Sequence, residues 1–180
     1  KFNISKIEER NVSRKPKAPF NTSTLQQTAN SQLNFSASQT MTVAQGLYMG
    51  VDIQKETVAL ITYMRTDSIS LSKDSIELIR AKIESDFGTK YLPKEPIEYK
   101  TKKKNAQEAH EAIRPTDVNI HPESIKDHIS EDQFKLYDLI WRRTISSQMA
   151  NAETNLNALT ITNPEENIQL KATLGKLVFD

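Results

Sequence analysis

The sequence contains no cysteine, no secretory-leader pattern and no apolar run approaching the length of a membrane span. Without thiols there is neither a disulfide nor a thiolate metal site, and without about 20 consecutive apolar residues no membrane-spanning helix is expected. Charge of one sign is also missing. Lys and Arg number 24 against 23 Asp and Glu, so affinity for nucleic acid has to come from local patches rather than from net charge. Histidine is scarce, and none stands one turn from His110, which excludes both a zincin pattern and a zinc finger. Internal repeats and low-complexity segments are absent. What is present suffices for a folded core: 180 residues, 37% hydrophobic and 26% charged, enough for one domain or slightly more. Cytoplasm is the default compartment and no membrane partner is expected.

The chain starts at Lys1 rather than Met, already in the alternating pattern Lys1-Phe-Asn-Ile-Ser-Lys-Ile-Glu8, and is expected to be a fragment. Near the other end Asn155–Thr162 and Ile168–Thr173 alternate likewise around Asn163-Pro-Glu-Glu-Asn167, the composition of a hairpin turn. A lone hairpin is marginal in water. The first strand and Leu177-Val-Phe179 are therefore expected to join it in one small antiparallel sheet, making a discontinuous domain of residues 1–17 and 150–180 around a continuous one of 18–149.

The middle reads as mainly helical. Thr22 to Thr24 suit a cap for a helix through about Gln32, Asn34 to Ser38 break it, and Ser38 or Thr40 starts a second helix with Val43, Ala44, Leu47 and Tyr48. Two short helices meeting at a tight turn, followed by a strand over Val58–Met64, predict a winged-helix-like unit. Ser72 caps a third helix carrying Ile76, Ile79 and Ile83, stopped by Gly88. A short helix from Asn105 to before Pro115 and a long one after Ser130 follow, the latter striped with Phe134, Tyr137, Trp141, Ile145 and Met149 as core. The fold class is mixed α and β.

Residues 61–68 read Ile-Thr-Tyr-Met-Arg-Thr-Asp-Ser, and Tyr63-x-Arg65 offers a nucleophile with its own electrostatic partner. On a strand, Tyr63, Arg65 and Asp67 project from one face. A phenol titrates near pH 10, so it attacks phosphorus only when its phenolate is stabilised or its proton removed. Arg65 suits the first task, or the gripping of a phosphate oxygen through its planar fork. The plainer alternative is that Tyr63 packs half-buried in a core strand.

The segment Leu60-Ile-Thr-Tyr-Met-Arg-Thr-Asp-Ser68 resembles the active-site tyrosine motif of the type IA DNA topoisomerases, the bacterial topoisomerase I family. Three further segments resemble the same family in the same order: Ala18-Pro-Phe-Asn-Thr-Ser-Thr-Leu-Gln-Gln27, Gln45-Gly-Leu-Tyr48, and Gln107-Glu-Ala-His-Glu-Ala-Ile-Arg-Pro-Thr116. The resemblance implies that Tyr63 cuts one DNA strand, holds the 5′ phosphate as a phosphotyrosine ester, lets another strand pass and reseals the break, relaxing negative supercoils without ATP. It implies catalytic roles for Tyr63, Arg65 and His110, and DNA contacts from Gln45, Thr62, Thr66, Asp67 and Arg114. From the residues alone His110 is by default a surface or structural histidine, Arg114 equally a partner for nearby carboxylates, and Gln45 equally part of an exposed face.

The implied partners are single-stranded or underwound DNA and the remaining domains of the same polypeptide, in the bacterial cytoplasm at the nucleoid. Residues 18–149 would be a mobile gate and the flanking strands part of a β-rich arch. Family members bind Mg²⁺ through an Asp-x-Asp-x-x-Gly cluster in a separate domain, and no Asp-x-Asp occurs in this chain. Mg²⁺ is thus expected outside it, with none bound within, and the fragment alone is expected to be inactive. A second departure is Met49-Gly50 after Tyr48, where family members often carry an acidic residue. Two other functions compete. A tyrosine recombinase would place its tyrosine after a His-x-x-Arg segment, whereas here Tyr63 precedes His110-x-x-x-Arg114. A noncatalytic winged-helix DNA-binding module would need Tyr63 only for packing. The lysines at 90, 94, 100 and 102–104 suit a solvated loop better than a contact with DNA backbone.

Overall fold

The computed structural model describes residues 1–53, 56–99, 111–163, 165 and 167–179. The chain divides into two compact units, Lys1–Pro16 with Ala150–Asp180, and Lys17–Met149. Of the described residues 40% are helical and 28% in strands, a mixed architecture rather than a mainly helical one.

The first unit is a three-stranded antiparallel sheet of β1 (Asn3–Arg14), β4 (Ala152–Asn163) and β5 (Ile168–Phe179), in the order β1-β4-β5. Leu177 belongs to β5 itself, opposite Thr154, so the last residues extend the hairpin instead of adding a strand. Register places Ile4, Ile161 and Leu170 in one cross-strand row and Ile7, Leu159 and Ala172 in another. Ile4, Ile7, Leu170 and Leu174 are all exposed, leaving the apolar rows uncovered.

The second unit holds α1 (Thr22–Leu33), α2 (Ala37–Met49), the short hairpin β2 (Val51–Ile53) and β3 (Glu56–Val58), α3 (Lys73–Phe87) and α4 (Glu131–Ser146), with 3₁₀ turns at Thr89–Tyr91 and Pro122–His128. Its core comprises Phe20, Leu25, Leu47, Leu60, Ile61, Ile79, Ile83, Leu136, Tyr137 and Ile140, each fully buried. Local chemistry sets the helix ends. Asn21, not Thr22–Thr24, caps α1: its side chain accepts from the Thr24 N–H while the Thr24 hydroxyl accepts from the Asn21 N–H, a reciprocal capping box. Asn34 in the left-handed conformation closes α1. Ser36, two residues earlier than expected, caps α2 because its hydroxyl accepts from the Gln39 N–H. As predicted, Ser72 and Gly88 bound α3 and α4 begins after Ser130, where Ser130 and Gln133 form a capping box. On α4, Tyr137, Trp141 and Ile145 are buried.

Two predicted elements are corrected. Val58–Met64 is not a strand: β3 ends at Val58, and the following residues form only an isolated bridge of Ile61 with Pro115. Pro115 has no N–H to donate, so that pairing cannot extend into a ladder. The predicted helix before Pro115 is also absent where the chain is described. Residues 111–115 instead run extended, with Ile113 bridged to Phe20 and Pro115 to Ile61. Asn105–His110 and the lysines at 100 and 102–104 lie outside the described residues.

Candidate active site

The tyrosine segment is positioned by hydrogen bonds from three directions. Leu60 N–H donates to Leu47 O at the end of α2 (2.8 Å), Thr62 N–H donates to Arg114 O (2.9 Å), and Thr116 N–H donates to Leu60 O (3.0 Å). Thr22, first residue of α1, supplies the third tie. Its N–H donates to Thr66 O (3.0 Å). Its hydroxyl donates to Met64 O (2.7 Å) and accepts from Thr66 N–H (2.9 Å). An irregular segment thereby has its polar backbone satisfied by loops and helix ends in place of a strand ladder.

Along this segment burial alternates: Met64, Thr66 and Ser68 face inward, and Tyr63, Arg65 and Asp67 outward. The phenol, guanidinium and carboxylate therefore all reach solvent despite the missing strand. Tyr63 is 46% exposed, its ring edge-to-face with Tyr48 at 5.3 Å between centroids. Neither the Tyr63 hydroxyl nor the Arg65 guanidinium makes a hydrogen bond or ion pair among the described residues. Arg65, Thr66 and Asp67 face Asn21, Thr22 and Ser23 across an open pocket of about 420 Å³. The start of a helix presents N–H groups and partial positive charge to such a space. Tyr63 is not one of its walls.

The remaining predicted residues have distinct settings. Thr62 is committed internally, its hydroxyl donating to Ala112 O (2.8 Å) and accepting from Arg114 N–H (3.0 Å). Thr66 is 91% buried by its 9% exposure and accepts from Ser68 N–H. Arg114 is mostly buried and donates through Nε and Nη2 to Glu111 Oε2 at 3.1 and 2.7 Å. The other Glu111 oxygen accepts from Ser72 N–H at the start of α3 (2.8 Å). Burial pushes the Glu111 carboxyl up, but the Arg114 and Ser72 hydrogen bonds outweigh it and hold the group below its usual range. Gln45 is exposed on α2, one turn before Tyr48. His110 lies outside the described residues.

Asn21, Thr22, Ser23 and Tyr48 were not singled out as site residues from sequence. A signal existed for each: the first three lie in the Ala18–Gln27 motif and Tyr48 ends the Gln45–Tyr48 motif, but motif residues alone do not reveal which side chains meet. Among the described residues no three His, Asp or Glu side chains are grouped so as to hold a metal ion, and no helix is long and apolar enough to cross a membrane.

A family model described as DNA topoisomerase matches residues 1–180, and the chain belongs to that family. It is 50% identical to DNA topoisomerase 1 of Rickettsia bellii over 99% of its own length and 22% of the relative's. Identity to DNA topoisomerase 1 of Helicobacter pylori strain J99 is 44%, over 98% of this chain and 24% of that protein. In three dimensions it is similar to the full-length topoisomerase I of Thermotoga maritima, with a TM-score of 0.84 at 37% identity over 99% of this chain and 28% of that one. The chain thus spans about a quarter of the length of these curated relatives.

Proposed function

We propose that this chain is the tyrosine-bearing part of a type IA DNA topoisomerase that relaxes negatively supercoiled DNA in the bacterial cytoplasm, at the nucleoid. The observation that carries this reading is the outward row Tyr63, Arg65 and Asp67 on a segment tied down from three directions, within a chain that matches the family over its whole length.

In this mechanism the Tyr63 oxygen attacks a backbone phosphorus of single-stranded or underwound DNA. A P–O bond forms to the phenol, the bond to the 3′ oxygen breaks, and the proton lost by the phenol balances the one gained by the leaving hydroxyl. The 5′-phosphotyrosine ester retains the energy of the phosphodiester, so reversal of the same step reseals the strand after another has passed. Arg65 grips a phosphate oxygen, with the start of α1 opposite it adding favourable potential for an anion. Gln45 and Asp67 line the approach of the strand, and His110 donates to phosphate or moves a proton. Thr62, Thr66 and Arg114 act mainly through position, since their hydrogen bonds fasten the backbone on either side of Tyr63 and the 111–116 segment.

Mg²⁺ belongs to the family chemistry, and among the described residues no three His, Asp or Glu side chains are grouped to hold it. We infer that its ligands belong to another part of the polypeptide. Residues 18–149 act as the gate, with α1, α2 and the β2–β3 hairpin forming its winged-helix-like end. Segments 1–17 and 150–180 contribute to the arch, where Ile4, Ile7, Leu170 and Leu174 present an exposed apolar face.

The test uses the full-length protein with Mg²⁺ and a single-stranded oligonucleotide labelled at either end, scored for an adduct that resists denaturant. The expected result is an adduct on the 5′ phosphate that vanishes in folded Tyr63→Phe. An adduct on the 3′ phosphate, or one that survives the substitution, overturns the proposal.

A further inference from the structure

We propose that Tyr48 is a positioning residue for Tyr63, its ring holding the phenol in the orientation from which it attacks. The inference rests on the reading of Tyr63 as nucleophile. Tyr63 projects from an irregular segment, nearly half exposed, and its hydroxyl has no hydrogen-bond partner among the described residues. A phenol so placed has several staggered rotamers open to it, and each unproductive one removes the near-attack geometry on which phosphoryl transfer depends.

The Tyr48 ring narrows that choice. The two rings meet at 5.3 Å between centroids and 61° between planes, the edge-to-face arrangement that aromatic quadrupoles favour. The backbone that carries Tyr48 is itself fixed. Its neighbour Leu47 is fully buried, and Leu47 O accepts the Leu60 N–H at 2.8 Å, so the end of α2 is tied directly to the segment carrying Tyr63. Beyond it α2 stops at Gly50, whose φ of +109° and close approach to Thr57 leave no room for a Cβ. On the far side of Tyr63, Met64 is buried to 1% exposure and anchors the backbone. Both Cα–Cβ bonds are thus set by buried structure while the rings reach the surface. An aromatic surface could instead stack on a nucleobase, and the two roles separate experimentally: positioning alters the rate of cleavage, whereas stacking alters affinity.

The experiment measures, in the full-length protein with Mg²⁺, single-turnover adduct formation and Kd for the same oligonucleotide. It compares wild type, Tyr48→Phe, Tyr48→Leu and Tyr63→Phe, with Tyr48→Met as the second ringless variant should Tyr48→Leu misfold. An edge-to-face pair implies adduct formation roughly three- to tenfold slower without the ring, with Kd within about twofold of wild type and the rate rescued by Tyr48→Phe. Three results overturn the proposal: an unchanged rate in the ringless variant, a loss that appears equally in Kd, or a Tyr48→Phe variant as slow as the ringless one. An adduct that persists in Tyr63→Phe refutes instead the nucleophile assignment on which it rests.

Discussion

Thr62→Val removes one hydroxyl from the backbone clamp beside Tyr63 while preserving shape. In the native chain that oxygen donates to Ala112 O at 2.8 Å and accepts from Arg114 N–H at 3.0 Å. Ala112 is fully buried and Arg114 largely so, so water cannot readily replace either bond. Leaving a buried donor and a buried acceptor unpaired costs about 1–3 kcal/mol each, and partial relaxation brings the expected total to about 2–4 kcal/mol. Thr62→Ser keeps the hydroxyl and loses one methyl, a cost of about 0.8 kcal/mol. The assay is equilibrium urea unfolding of the 180-residue chain followed by the fluorescence of its one tryptophan, Trp141. Trp141 is 5% exposed with its indole N–H donating to Val118 O, so it reports on the unit that contains the site. With m of about 2 kcal/mol/M, the midpoint should fall by about 1–2 M in the Val variant. A Val variant within about 0.5 kcal/mol of wild type at unchanged m, an ordinary outcome for a surface substitution, would refute the clamp.

Glu111→Gln should destabilise by about 1–3 kcal/mol at neutral pH by weakening the charged bonds to Arg114 and Ser72. Because the folded carboxyl titrates below its ordinary value of 4.5, that advantage is fully present above pH 4.5 and is lost as pH falls through the lower folded value. Urea midpoints of both proteins at pH 7 and at pH 3 to 4 should therefore converge on acidification; a gap that widens there contradicts the assignment. Gly50→Ala places a Cβ 2.6 Å from Thr57 Cγ2 at φ +109°, whereas Gly88→Ala meets no atom within 4 Å at φ +93°. Both carry a penalty of about 1–3 kcal/mol for a positive φ with extended ψ that only glycine adopts readily, and only the first adds a clash, so equal midpoints for the two would contradict the geometry. Arg65→Ala should slow adduct formation in the full-length protein by about 10²-fold, the scale of losing one charge-stabilising donor, with thermal stability unchanged because Arg65 is exposed and has no partner among the described residues. A rate within threefold of wild type would remove Arg65 from the chemistry.

Helix ends marked by local hydrogen bonding were legible in the sequence. Ser72 and Gly88 around α3, and Ser130 before α4, act on neighbours three or four residues away, so their meaning survives in isolation. The alternating rows of β4 and β5 were legible for the same reason. Residues 58–64 misled because β-branched and apolar content signals an extended, buried backbone without showing that a ladder exists. There the partner strand is a short segment interrupted by Pro115. At 111–115 helical-looking residues are pulled extended by pairing with Phe20 and Ile61, contacts some 50 to 90 positions away in the chain that no local pattern encodes.

By itself the sequence determined the chemistry on offer and the kinship. Four ordered motifs carried the resemblance, and the Tyr63-x-Arg65-x-Asp67 spacing set which side chains would point the same way, because alternation belongs to any extended backbone, regular or not. Tertiary structure alone decided who stands beside them. It brought α1's first turn against Arg65, set Tyr48 edge-on to Tyr63, and tied Glu111 to the start of α3 at Ser72. Those meetings depend on how separate helices and loops pack around one core, and packing is a property of the whole chain rather than of any stretch of it.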